Sequence, residues 1–319
     1  MDHIKKRSAE EKTCNPNTLL LQDPSQFREL SQWDVELRQL EKGNMNSSVS
    51  VWAGTGLQMI DLSFDKAVYQ TGVSRPDILA FGLPDKGSVR TWLNGYPSDT
   101  ALMNFGSGDS FEGVSNSTLT GLTFGIDIQR AERVADDCGL DISTVRMNAS
   151  RSFVGDAGRF HSQIKNKARF LIASETGPST EGEESDLILE LLEMLVNGEQ
   201  WSDRGGNSKN RTRLARKAVE FMRAHLMDNV SIGEVCADTQ VSACTLRRAF
   251  QETFGVSPKQ FYLRARLGAV RHELVSCSPD QSISDVANSY GFWHMGQLAR
   301  DYKAFFGELP TQTISGRMN

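Results

Sequence analysis

The sequence predicts a two-domain α+β protein. A β-rich domain with accessory helices fills roughly the first two thirds, and an all-α domain of two helix-turn-helix units fills the last third. Three observations predict it. A pattern of caps, apolar spacings and a closing glycine occurs twice between Arg211 and Asn319. Apolar and polar residues alternate in several short runs before Ile128. Charge divides the 319-residue chain the same way. From Lys209 onward there are 15 Lys+Arg against 10 Asp+Glu, before it 20 against 30, and the overall net charge is −5.

Residues 1–20 carry Lys5, Lys6 and Arg7 among polar neighbours, which predicts an unstructured start rather than a signal peptide. A β-rich domain is expected over 21–197. Val49 and Val51, then Leu79, Phe81 and Leu83, then Leu122, Phe124, Ile126 and Ile128 alternate as half-buried antiparallel strands do. Turn signals at 54–56, 84–87, 94–95 and 106–108 bound these runs, so a barrel or a sandwich is expected. Trp33, Trp52, Phe64, Tyr69, Phe81 and Trp92 are candidates for the wall of an effector pocket, core packing being the plainer role for each.

Helices are expected at Ile128–Cys138 and Gly158–Ala173, the second with Ile164 and Phe170 inward, then a loop over Glu175–Glu184. Asp186–Asn197 is strongly amphipathic, with Leu187, Leu191 and Met194 on one stripe and Ile188, Leu192 and Leu195 beside it. A face that wide requires cover, either from its own domain or from a second copy in a homodimer. Gly198, Gly205, Gly206 and Ser208 make 198–210 a flexible linker by composition.

The domain at 211–319 opens with a helix carrying Leu214, Ala218, Phe221 and Met222. In the first unit Ser231 is placed to cap a short helix bearing Ile232 and Val235. Val241 closes a turn and Ser242 caps the next helix, whose buried stripe is Leu246, Phe250 and Phe254 before Gly255. Ser242, Ala243, Cys244, Thr245, Arg247, Arg248 and Gln251 remain outside, a small and then basic surface suited to a major groove about 12 Å wide. In the second unit Ser231, Ile232 and Val235 recur as Ser282, Ile283 and Val286 at an offset of 51. One residue is then inserted, and Leu246, Phe250, Phe254, Gly255 and Pro258 recur as Leu298, Tyr302, Phe306, Gly307 and Pro310 at 52. Gly291 supplies this turn and Phe292 anchors it, leaving His294, Met295, Gly296, Gln297, Ala299 and Arg300 outward.

This last third resembles the DNA-binding domain of the AraC/XylS family of transcription regulators, in which a long helix joins two helix-turn-helix units. That family's joining helix begins after a Gly-x-x-Pro and contains an Arg-Leu pair; Pro258, Phe261, Arg266 and Leu267 occupy those positions here, with Val270 and Leu274 continuing the apolar stripe. The chain departs from the pattern at Trp293, His294 and Met295, where polar residues are usual, and in lacking Tyr-Arg after Pro310. The resemblance implies a cupin-like β-barrel sensor in the N-terminal half, whose layout is loosely similar to ethanolamine-operon-type regulators. It also implies a homodimer, a small-molecule effector, double-stranded promoter DNA and contact with RNA polymerase.

Cys14, Cys138, Cys236, Cys244 and Cys277 are scattered without Cys-x-x-Cys spacing, which favours reduced thiols in a cytoplasm. His3 and His161 have no second metal ligand at usable spacing, so neither metal nor cofactor is expected. No apolar run approaches the roughly 18 residues of a membrane helix. With no Gly-x-Ser-x-Gly and no phosphate-cradling Gly-Lys loop, the chain reads as a regulator rather than an enzyme. An orphan regulator whose barrel only dimerises, and a barrel enzyme fused to a DNA-binding domain, stand as alternatives.

Overall fold

The computed structural model describes residues 18–21, 27, 34–92, 102–108, 110–143, 152–154, 157–173, 181–197, 199–200, 206–276 and 281–316. The N-terminal part begins with strands β1 (Thr18–Leu21), β2 (Asp34–Gln39), β3 (Ser47–Ala53), β4 (Leu57–Phe64), β5 (Val68–Val73) and β6 (Ile78–Pro84). It continues through β7 (Val89–Trp92), β8 (Leu102–Gly106), β9 (Ser110–Ser115), β10 (Leu119–Asp127), helix α1 (Ile128–Asp137), β11 (Ser152–Val154), α2 (Ala157–Ala173), α3 (Glu181–Asn197) and β12 (Glu199–Gln200). Then come α4 (Gly206–Ala224), α5 (Ile232–Thr239), α6 (Ala243–Phe254), α7 (Pro258–Ser276), α8 (Ile283–Ser289), α9 (Met295–Phe306) and α10 (Pro310–Gly316).

Two antiparallel sheets face one another. The larger has the order β1-β3-β4-β10-β6-β8-β11-β12 and the smaller β2-β5-β9-β7. Among the described strands neither sheet closes on itself, so of the barrel and the sandwich expected from sequence the described strands form an open two-sheet sandwich. The strand alternation supplies its faces. Val35, Leu37, Val49, Ile60, Phe64, Met103, Phe105 and Phe111 meet between the sheets. Leu79, Phe81, Leu122, Phe124 and Ile126 point to the other side of the larger sheet, where helices cover them. Phe124 sits at the centre of that face, registered against Met59 on one neighbour and Phe81 on the other.

That helical cover comes from α1 to α3, and α3 accounts for the wide apolar stripe. Leu187, Ile188, Leu191, Leu192 and Leu195 are all at most 2% exposed, packed with Met59, Leu79 and Phe81 of their own chain, and Met194 lies partly buried beside them. Each of these burials stabilises the fold by about 1.5–3 kcal/mol. The dimerisation surface expected from this stripe is corrected accordingly, because its cover is intramolecular. The helix also starts before Asp186. Glu184 is buried in its first turn and accepts hydrogen bonds from the Thr55 and Gly56 amides at 3.0 and 2.8 Å, fixing the helix to the β3–β4 turn.

Phe170 is a second correction, since it is 73% exposed rather than inward. The buried stripe of α2 is Ile164, Ala168, Leu171 and Ile172, at i, i+4, i+7 and i+8, and six residues from Ile164 a helix has turned to the opposite side. Lys165 and Arg169, beside that stripe, hold α2 to Asp85 at 2.7 and 3.1 Å. Burial raises the Asp85 carboxyl, but hydrogen bonds from Lys165, Thr120 and Arg169 and the Lys165 charge outweigh it and bring it down to about 2.

The outer face of the smaller sheet is also covered. Leu40, Tyr69 and Val114 pack with Ala215, Val219, Phe250, Phe254 and Phe261 of the C-terminal domain. Tyr69 stands edge-on to the rings of Phe254 and Phe261, with centroids 5.6 and 5.7 Å away, and donates its hydroxyl to Glu112. Arg216 reaches Glu112 at 2.9 Å and Arg223 reaches Glu36 at 2.7 Å. The molecule is therefore four layers deep: helices, large sheet, small sheet, C-terminal helices. The linker expected over 198–210 is shorter, because β12 occupies Glu199–Gln200 and α4 begins at Gly206. Trp33, Cys14, Cys277 and His3, and the side chains of Trp92 and His161, lie outside the described residues.

Candidate nucleic-acid interface

Local chemistry builds the first unit. Ser231 accepts the Glu234 amide at 3.3 Å while the Glu234 carboxylate accepts the Ser231 amide at 2.8 Å, a reciprocal capping box that starts α5. The turn passes through Gln240 in the left-handed region, and the Val241 amide bonds back to the Cys236 carbonyl at 3.2 Å. Ser242 then caps α6 through the Thr245 amide. Leu246, Ala249 and Phe250 are fully buried, and Gly255 closes the helix with φ 72°, a conformation that glycine adopts without a Cβ clash. Ser242, Ala243, Cys244, Thr245, Arg247, Arg248 and Gln251 are all exposed, as expected. Gln251 differs from the rest, since its amide donates to the Gly255 carbonyl at 3.1 Å and is turned toward the helix end.

The second unit repeats this plan with other residues. Ser282 caps α8 through the Asp285 amide, Gly291 takes the left-handed turn position, and Leu298, Tyr302, Phe305 and Phe306 are buried. His294 is the N-cap of α9 yet makes no side-chain cap hydrogen bond. His294, Gly296, Gln297 and Arg300 are exposed, while Met295 and Ala299 are half-buried. Arg300 donates to Gln297 at 2.9 Å and Gln297 donates to Asp301 at 2.8 Å, so the polar side chains here form a chain along the helix.

The joining helix α7 shows almost no preferred apolar side because it serves both units. Phe261 and Tyr262 enter the first unit's core, and Leu267, Val270 and Leu274 the second's. Between them Arg266, 6% exposed, donates to Asn229 at 2.8 Å and to the Tyr290 carbonyl at 2.8 Å, and its guanidinium lies 4.4 Å from the Phe292 ring centre. Arg266 thus ties the loop before α5 to the turn of the second unit, and burial lowers the pKa of its guanidinium below the ordinary value. Sequence reasoning placed Arg266 by resemblance but missed this bridging role.

Among the described residues the effector-pocket candidates Trp52, Phe64, Tyr69 and Phe81 do not come together. Trp52 and Phe81 lie in the helix-facing core, and Tyr69 lies in the inter-domain contact. Phe64 alone among them lines an apolar cavity of about 50 Å³ between the sheets, with Phe27, Val35, Leu37, Met103 and Phe105.

Two capped helix-turn-helix units on one shared helix define a double helix-turn-helix domain. A helix-turn-helix domain family matches residues 235–315. The XylDLEGF operon transcriptional activator of Pseudomonas putida is 31% identical over 128 residues, which cover 40% of this chain and 38% of that one. The probable thc operon regulatory protein of Rhodococcus erythropolis is 28% identical over 102 residues, covering 32% and 31%. The chain thus spans well under half the length of these curated relatives. A probable AraC family regulator from Rhodopseudomonas palustris shares 31% identity over 33% of this chain and 97% of its own, with a TM-score of 0.31. ToxT from Vibrio cholerae is aligned over 89% of this chain and 98% of its own at 8% identity and a TM-score of 0.31. The C-terminal part of the chain carries a helix-turn-helix domain, and its homologues are transcription activators of the AraC/XylS type.

Proposed function

We propose that the protein is a cytoplasmic, sequence-specific transcription regulator rather than an enzyme, binding double-stranded promoter DNA through both helix-turn-helix units. One observation carries the reading. Both recognition helices, α6 and α9, bury an apolar stripe against α7 while leaving their N-terminal edges exposed, and one buried arginine links the two units. Activation by contact with RNA polymerase follows from the operon activators that the domain resembles. The two-sheet part serves as a cupin-like sensor. The space between its sheets is lined by apolar side chains, and its smaller sheet and the β2–β3 loop touch the C-terminal ends of the two recognition helices, so a change in the sandwich has a direct route to the DNA. Gly43 donates to the Phe305 carbonyl at 2.7 Å, and Arg90 reaches the Gln251 carbonyl at 3.4 Å. A homodimer would pair two such domains on one operator.

Selection of duplexes from a random pool by the full chain, followed by footprinting, tests the core of this proposal. Enrichment of a sequence with two protected segments on one face of the helix is expected. A single protected segment removes the second unit from the reading, and no enrichment removes the reading altogether. Sedimentation of the free and DNA-bound chain tests pairing, and thermal shifts of the full chain against a panel of small apolar metabolites test the sensor.

A further inference from the structure

The two units match at an offset of 51 as far as Val241 and Phe292. The left-handed turn residues Gln240 and Gly291 correspond, and the Val241 and Phe292 amides make the same bond, to the carbonyls of Cys236 at 3.2 Å and Ala287 at 3.0 Å. From the N-caps Ser242 and His294 onward the offset is 52. The single inserted residue is therefore Trp293, and it is 69% exposed. Phe292, just before it, is held under the Arg266 guanidinium and is 9% exposed, so the insertion adds nothing to the core and places an indole beside the start of the recognition helix.

We propose that Trp293 contacts DNA bases, its indole packing on the C5-methyl group of a thymine in the major groove. The inference rests on the DNA-binding reading above. The first turn of α9 has no charged residue, and a Cβ added at Gly296 would meet nothing within 4 Å, so the helix surface there is open. The polar readers Gln297 and Arg300 lie further along and are tied to each other. At its corresponding edge the first unit offers Ala243, Cys244 and Thr245 and then two arginines, with no aromatic. The thymine methyl is the apolar feature that a major groove presents, and the N-terminal edge of a recognition helix is the part that meets base edges. The two units would then read by different chemistry, the first by guanidinium hydrogen bonds and the second by apolar contact.

The test uses the operator selected by the full chain. Each thymine in the segment protected by the second unit is replaced in turn by deoxyuridine, which removes only the methyl group. At one position the parent protein should weaken about fourfold, the equivalent of one buried methyl. Trp293→Ala, with an unchanged circular dichroism spectrum, should bind the unmodified operator at least as weakly and show no further loss on uridine substitution. Trp293→Phe should recover part of the sensitivity. Retained uridine sensitivity in Trp293→Ala overturns this inference alone. Parent-like binding with lost activation by RNA polymerase also overturns it, in favour of a protein contact. If selection enriches no duplex, the DNA-binding reading falls together with this one.

Discussion

The two helix-turn-helix units share a scaffold and differ at the edge that faces outward. In both, a serine caps the first helix, a left-handed residue makes the turn, a fully buried stripe seats the second helix on α7, and a glycine at φ 72° or 82° closes it. The first unit adds a serine cap and two free arginines at its recognition helix. The second has a histidine without a side-chain cap bond, an inserted tryptophan and a tethered Arg–Gln–Asp chain. Requirements of folding are thus met twice by the same chemistry, whereas the outward edges vary because packing does not constrain them. Equivalence of scaffold and difference of edge can be tested separately.

Scaffold equivalence fails first if its shared element is broken. Replacing Arg266 by Leu leaves the Tyr290 carbonyl and the Asn229 side-chain oxygen without the donor they share. A loss of about 3 kcal/mol is expected, with both units affected together. Arg266→Lys should recover little, since an ammonium cannot reproduce the fork that holds both groups. Denaturant titration with hydrogen exchange on α5 and α8 checks this, and loss of protection in only one unit would show that Arg266 does not couple them.

If the joining helix sets the geometry, the units should read successive major grooves roughly 34 Å apart. Inserting about 5 base pairs between the protected segments turns one site to the far side of the duplex. Affinity should then fall on the order of 100-fold, as measured by gel shift, because the second unit's contacts are lost. Unchanged affinity would mean that one unit carries all the binding.

At the reading edges the first unit should depend on its arginines. Arg247 and Arg248 are exposed and not committed to any carboxylate among the described residues, so either is free to pair with guanine. Arg248→Ala should cost about 1–3 kcal/mol of specific binding with the fold unchanged. Arg300→Ala should cost less, because Arg300 must first leave Gln297. Equal losses would erase the contrast between the edges.

How much of this was legible follows from how far each signal reaches along the chain. Caps, stripes and closing glycines of the two units act within a few residues, and the structure places Ser231, Ser242, Leu246, Phe250 and Gly255 as the sequence implies. The periodicity of α3 showed that Leu187, Leu191 and Leu195 need cover but not whose, and the answer lies about 100 residues away in Met59, Leu79 and Phe81. The outer face of the small sheet left no such signal. Nothing in the local pattern around Glu36 and Glu112 names a partner for them, yet they hold Arg223 and Arg216 of the C-terminal domain. Alternation records which residues share a face, and long-range docking decides what that face meets. Trp293 left a trace as a one-residue change of offset, which only the backbone of the turn could assign.

The smallest expected effect sharpens the comparison most cleanly, because it concerns one hydrogen bond present in one unit and absent in the other. Ser242 accepts the Thr245 amide at 3.2 Å, so Ser242→Ala should destabilise the first turn of α6 by about 1 kcal/mol. His294 makes no such bond, so His294→Ala should leave the first turn of α9 nearly unchanged, and His294→Ser should stabilise it by up to about 1 kcal/mol. Hydrogen exchange of the first-turn amides reads each helix separately, which matters because global unfolding mixes the two. If His294→Ala loses as much protection as Ser242→Ala, the histidine is capping after all and the edges differ less than their hydrogen bonds indicate. If His294→Ser gains protection while DNA binding falls, the missing cap is a concession to the reading edge, where the imidazole serves the DNA and not the helix.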